Sequence, residues 1–195
     1  MATTLTKKDA STLLRTKIIR DDANDFEKTE SSNGAPLSVK TSTNLILDEK
    51  RYLSLDASLR KSETRTDALD ETGLIPPGYV VPQTRTIRHE TLEQAFANRN
   101  KMAVQELLEK AYSLYPDLVP TGATITPLTP AATLADLAMP VKSLDFSIDI
   151  KNIFSQLDNI DVVYVDADND PYVSVHIIGK ATDGLVIACG LLVQT

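Results

Sequence analysis

Tryptophan is absent from this chain of 195 residues, cysteine occurs once, and aromatic side chains make up only 5 % of it. The single thiol, Cys189, excludes an intrachain disulfide and leaves any cysteine-based zinc site without its other ligands. Long apolar runs are missing too. The longest, LVIACGLLV at 185–193, falls well short of the roughly 20 residues that a membrane-crossing helix requires. The opening MATTLTKK lacks the apolar stretch of a secretory signal. The expectation is a soluble cytoplasmic protein with no membrane partner.

Positive charge is scarce at one end. Residues 1–110 hold 17 basic and 17 acidic side chains, whereas residues 111–195 hold 3 and 10, so the whole net charge of −7 lies in the second part. Its ten acidic residues are all aspartates. Such a surface repels phosphate backbones, and no nucleic-acid partner is expected. The chain carries no GxGxxG, GxxxxGK[ST], GxSxG or HExxH pattern, and no cofactor is expected.

What is present divides the chain into four spans. Residues 1–84 read as an extended polar arm. Within it TKKDASTLLRTKIIRDD places Ala10, Leu13, Leu14 and Ile18 at helical spacing, which predicts a short amphipathic helix that needs a surface to lie on. From Ala23 to Thr43 the chain is polar, and SSNGAP (31–36) has turn chemistry at Asn33-Gly34. NLILDEKRYLSL (44–55) is an apolar interlude, and RKSETRTDALDET (60–72) is charged without a firm period. GLIPPGYVVPQ closes the arm, with Pro77-Gly78 suited to the centre of a type II turn. Pro76-Pro77-Gly78-Tyr79 also matches the short PPxY pattern that WW domains read, although a plain turn is the expectation here.

Residues 85–118 are the helical segment. Leu92, Phe96, Ala103, Leu107, Ala111 and Leu114 keep a period near 3.6, Thr91 with Gln94 offers a capping box, and Pro116 ends the run. The polar NRN at 98–100 leaves open one helix or two meeting at Asn100. Residues 119–140 form a Pro/Thr-rich connector, with a turn of helix at AATLADLA.

Residues 141–195 read as a β-rich domain. SLDFSIDI (143–150) alternates Leu144, Phe146, Ile148 and Ile150 with Asp145, Ser147 and Asp149, which predicts a half-buried strand, and NIFSQLDNI after it returns to helical spacing. DVVYVD, YVSVHIIG and GLVIACGLLV then predict a three-stranded meander. The last strand, apolar on both faces with small Ala188 and Gly190, suits a central position under a closely packed helix. The expected fold class is α+β: a small antiparallel sheet packed with one or two helices and preceded by the extended arm.

The chemistry centres on YVDADNDPYV (164–173), where Asp166, Asp168 and Asp170 alternate as in a calcium loop. Counted from Asp166, the position that needs Gly is Pro171 and the one that needs Glu is Ile177. The stretch is therefore read as a hairpin turn, with a non-EF divalent-ion site at Asp166, Asp168 and Asp170 as the alternative. Asp145 and Asp149 could join that alternative for phosphoryl chemistry. His176 is expected to be exposed or at an interface. A His176/Cys189 dyad across adjacent strands is conceivable, but the apolar run around Cys189 favours an inert thiol.

The function these features predict is non-enzymatic: a structural or interaction subunit of a large assembly, in architecture like a tailed-phage capsid, neck or tail component, whose arm binds neighbouring protein subunits. The alternative is a metal-dependent hydrolase or phosphoryl-transfer enzyme using the C-terminal aspartates.

Overall fold

The computed structural model describes residues 5–18, 32–34, 37–68, 73–126, 128 and 130–194. Four helices and six strands are formed among them: α1 Lys7–Lys17, β1 Ser32–Gly34, β2 Ser38–Ser42, α2 Glu49–Glu63, β3 Thr86–Glu90, α3 Leu92–Leu114, α4 Ala138–Phe154, β4 Asp158–Asp166, β5 Tyr172–Ala181 and β6 Gly184–Gln194. The sheet is antiparallel with order β1-β6-β5-β4-β3, and β2 pairs with β6 beside β1. The class is α+β, as the sequence predicts.

The three C-terminal strands form the expected meander. Asn169 takes a left-handed φ of 61° in the β4–β5 turn, a conformation asparagine tolerates, and the Asp170 N–H donates to Ala167 O at 3.1 Å. β6 is interior, paired with β5 on one side and with β1 and β2 on the other. Both faces of the meander are covered. Val162, Tyr164, Val175, Ile177, Val186 and Ala188 pack with Ala10, Leu14, Phe96, Phe146, Ile150 and Phe154 from α1, α3 and α4. Val163, Val165, Ile178, Ile187, Cys189 and Leu191 pack with Tyr52, Leu55, Leu59 and Ile75. Burial of both faces removes the apolar–polar alternation from the strands and leaves the continuous apolar runs seen in the sequence.

Helix starts follow the sequence closely. Thr6 caps α1 by accepting the Asp9 N–H, and Asp48 caps α2 by accepting that of Arg51. The Thr91/Gln94 capping box is present, and α3 runs unbroken through NRN with Arg99 buried. Ala10 and Leu14 of α1 are fully buried, and Val186 and Ala188 of β6 belong to the same core. The helix lies on the small-residue face of the last strand. Its first N–H donates to Asp183 Oδ1 at 2.6 Å in the β5–β6 turn, a carboxylate at the positive end of a helix.

Three expectations need correction. SLDFSIDI is not a strand: it lies within α4, whose buried positions Ser143, Phe146, Ser147, Ile150, Ile153 and Phe154 recur at steps of three and four. Ile148 is 54 % exposed, while Ser147 is buried with its hydroxyl donating to Ser143 O at 3.2 Å. Small serines on the inner face hid the helical stripe behind an accidental alternation. The described part of residues 1–84 is also more than an arm. α2, β2 and α1 cover the sheet's edge and both of its faces, and Asn33-Gly34, expected at a turn, lies in β1; residues 19–31 and 69–72 lie outside the described residues. The third correction is the strand β3, which the sequence reading folded into the helical segment.

Candidate functional site

The aspartates of YVDADNDPYV do different work. Asp166 ends β4 opposite Thr86, and Asp168 is exposed in the turn. The Asp170 carboxylate is fully buried: it accepts from Arg60 Nη1 at 2.8 Å, from the Tyr172 N–H at 3.1 Å and from the Tyr79 hydroxyl. Arg60 in turn donates from Nε to Asp56 Oδ1 at 2.7 Å and from Nη2 to Tyr172 O at 2.8 Å. Arg85 Nη1 lies 3.2 Å from the other Asp56 oxygen. Two buried carboxylates thus face two guanidinium groups, and the formal charge of the cluster is zero. Burial and the Asp170 contact push the Tyr79 pKa up to about 12.

This cluster ties α2, the segment 73–85 and the β4–β5 turn together. Chemically it is a staple. Every Asp170 oxygen is engaged, and among the described residues no group of three or more His, Cys, Asp or Glu side chains is placed to hold a metal ion. Asp145 is exposed on α4, and Asp149 pairs with Lys17 at 3.1 Å. The aspartates considered for phosphoryl chemistry are not brought together.

Tyr79, the last residue of the PPxY match, is occupied in the same way. The Tyr79 N–H donates to Pro76 O at 3.3 Å and Gly78 has φ of 79°, the geometry of the expected type II turn. Its ring meets Tyr172 edge-on with centroids 5.0 Å apart.

His176 and Cys189 are directly opposed across β5 and β6. They make no catalytic pair. His176 is fully buried rather than exposed or at an interface, because α2 covers that face of the sheet. Burial lowers its pKa to about 3 and raises that of the thiol, so imidazole and thiol are both neutral near pH 7. His176 Nε2 lies 3.1 Å from Ser174 Oγ, and Cys189 Sγ lies 3.1 Å from Ser38 Oγ.

An accessible polar arrangement lies at His89 in β3. β3 puts its ring 50 % exposed, with Nδ1 2.8 Å from Asp161 Oδ2 on the adjoining strand. The Tyr52 ring stands edge-on to it at 5.4 Å, and burial together with Asp161 raises the Tyr52 pKa. A cavity of about 330 Å³ opens here, lined by Glu49, Tyr52, Arg85, Ile87 and His89. No sequence motif announces it: the residues come from α2, β3 and the chain just before β3.

A second feature is apolar. In α3 beyond Ala103 only Ser113 is buried; its hydroxyl receives the Ala132 N–H at 2.7 Å and folds the connector back onto the helix. Around this end Tyr115, Leu118, Leu128, Leu134 and Val141 are exposed, Leu134 at 67 %, while Val104 and Ile148 are exposed farther along α3 and α4. Among the described residues no helix is long and apolar enough to cross a membrane.

No family model matches the sequence, and a search of curated proteins finds no match.

Proposed function

We propose that the chain is a non-enzymatic structural or interaction subunit of a larger protein assembly, and that the end formed by α3, the connector and α4 is a principal contact surface. The observation that carries this reading is the distribution of exposed apolar side chains. Of the twelve large hydrophobic residues exposed among the described residues, five, Tyr115, Leu118, Leu128, Leu134 and Val141, belong to the end of α3, the connector that folds back onto it at Ser113 and the start of α4. Exposed apolar groups scattered singly are ordinary, whereas a concentration of them marks a contact surface. The same reading is supported by the formal neutrality of the Arg60 cluster and by His176 and Cys189, which are buried and uncharged. The proposal of a virion component rests on analogy of architecture with tailed-phage subunits. The metal-dependent alternative finds no support at Asp170, whose oxygens are already committed to Arg60, Tyr79 and Tyr172.

Sedimentation of the full chain over a range of concentrations tests this. We expect reversible association that a Leu118→Glu/Leu134→Glu variant abolishes while its circular dichroism stays native. A chain that is monomeric throughout, with equal binding of an apolar dye to both proteins, contradicts the proposal.

A further inference from the structure

The cavity at His89 is lined on one side by hydrogen-bond acceptors. Glu49 has no ion pair or hydrogen bond among the described residues, so its carboxylate is available to the cavity. The Asp161 carboxylate, an acceptor only, takes the Nδ1 proton of His89. In the neutral ring Nε2 is then left as a second acceptor. Tyr52, 8 % exposed, contributes the accessible part of its ring to the lining beside His89. Arg85 is the one cation in the lining, and it faces the buried Asp56 carboxylate at 3.2 Å.

The charge count follows directly. Glu49, Asp161 and Asp56 carry three negative charges within or directly behind the lining, against one on Arg85; Arg60, the other cation touching Asp56, is in turn matched by Asp170. A cation entering here meets the Glu49 carboxylate and an aromatic ring, and leaves no existing pair broken. An anion meets repulsion from Glu49 and Asp161.

We propose that this cavity receives the guanidinium group of an arginine side chain presented by a partner subunit. This rests on the interaction reading above and gives it a chemical specificity. A planar guanidinium has the donors to engage the Glu49 carboxylate through two parallel bonds and stacks well on an aromatic ring, as an ammonium does less effectively. The contact places a polar, directional interaction on the α2 side of the sheet, in addition to the apolar end at α3 and α4.

The test uses the full chain and a model compound, N-acetyl-arginine methylamide, with its neutral isostere N-acetyl-citrulline methylamide as control. Titrations are followed by the His89 ring signals and the backbone amides of Glu49 and Ile87 in NMR spectra. We expect saturable shifts at these residues with the arginine compound, binding about tenfold weaker for citrulline, and a loss of similar size in Glu49→Gln, as removal of one charge-assisted contact implies. Added salt weakens the arginine compound selectively. Equal binding of the two compounds, undiminished binding to Glu49→Gln, or no saturable shift at His89 overturns the proposal. Because the compound reads the cavity alone, these outcomes are independent of whether Leu118→Glu/Leu134→Glu alters association of the chain.

Discussion

Arg60 and Asp170 meet at 2.8 Å across 110 residues of sequence, with at most 1 % of either side chain exposed. The contact fixes the last turns of α2 against the β4–β5 turn, and with it the helix that covers one face of the sheet. Buried ion pairs need not add net stability over apolar packing, but removal of one partner strands the other in a low-dielectric interior. Arg60→Met leaves both Asp56 and Asp170 without their shared cation. We expect a loss of about 3–5 kcal/mol in urea unfolding followed by circular dichroism. A loss below about 1 kcal/mol shows that the cluster is not the anchor of α2.

Tyr79 reports on the same cluster through pH. Its folded pKa of about 12 lies above the ordinary value of 10.0, so between those two pH values the unfolded chain has lost a proton that the folded chain keeps. The contribution is complete below pH 10, declines as pH rises through that window, and is gone above the folded pKa. Tyr79→Phe removes this part of the alkaline decline while retaining the edge-on contact with Tyr172. Stability curves of both proteins from pH 8 to pH 12 decide the matter, and identical alkaline slopes contradict it.

His176 acts in the acid range. Its folded pKa of about 3 lies below the ordinary 6.5, so the unfolded chain binds a proton that the buried imidazole refuses. The stability tied to its neutral form is present above pH 6.5 and is lost progressively as pH falls towards 3. We expect the His176 ring to show neutral nitrogen shifts down to pH 4.5 in the folded protein. His176→Val, with a β-branched residue suited to the strand, should flatten the decline in unfolding free energy between pH 6.5 and pH 4.5. Protonation of the ring near pH 6 in the native state contradicts its burial under α2.

The helical assignment of residues 143–150 has a direct mutational signature. Ser147 is buried in α4 and Ile148 is 54 % exposed. Ser147→Leu inserts a large side chain into a packed interior and should cost about 1–3 kcal/mol. Ile148→Asp should change stability by no more than about 0.5 kcal/mol. A half-buried strand with Ile148 inward gives the reverse order, so the two unfolding curves distinguish the structures.

Gly179 tests the packing where α4 hands over to β4. A Cβ placed there would stand 2.7 Å from Leu157 Cδ1 and 3.1 Å from Phe154 Cδ1, closer than packed carbons allow. Gly179→Ala is expected to lower the unfolding free energy by about 1–3 kcal/mol through displacement of the turn at 155–157. An unchanged midpoint in urea shows that this turn yields freely.

Local rules written in the sequence determined much of this protein. The capping box at Thr91, the helix of Ala10 and Leu14, the turn at Pro77-Gly78 and the three C-terminal strands each depend on neighbours a few residues apart, and each is legible without the fold. The antiparallel α+β class follows from them. The second face of the sheet was a matter for the tertiary structure alone. α2 directs Asp56 and Arg60 inward beside Tyr52, Leu55 and Leu59, and charged residues at inward positions erase the apolar period by which a helix is recognised. Their burial is tolerable only because Asp170, Arg85 and Tyr79, all distant in sequence, converge on them. Ser143 and Ser147 concealed the face of α4 in the same manner. The cavity at His89 joins α2, the chain before β3 and β3 itself, while the Asp161 that orients its imidazole lies on β4. An aspartate count could show where negative charge lies along the chain, but only the pairing of strands and helices decides which carboxylates are spent on internal cations and which remain open to a partner.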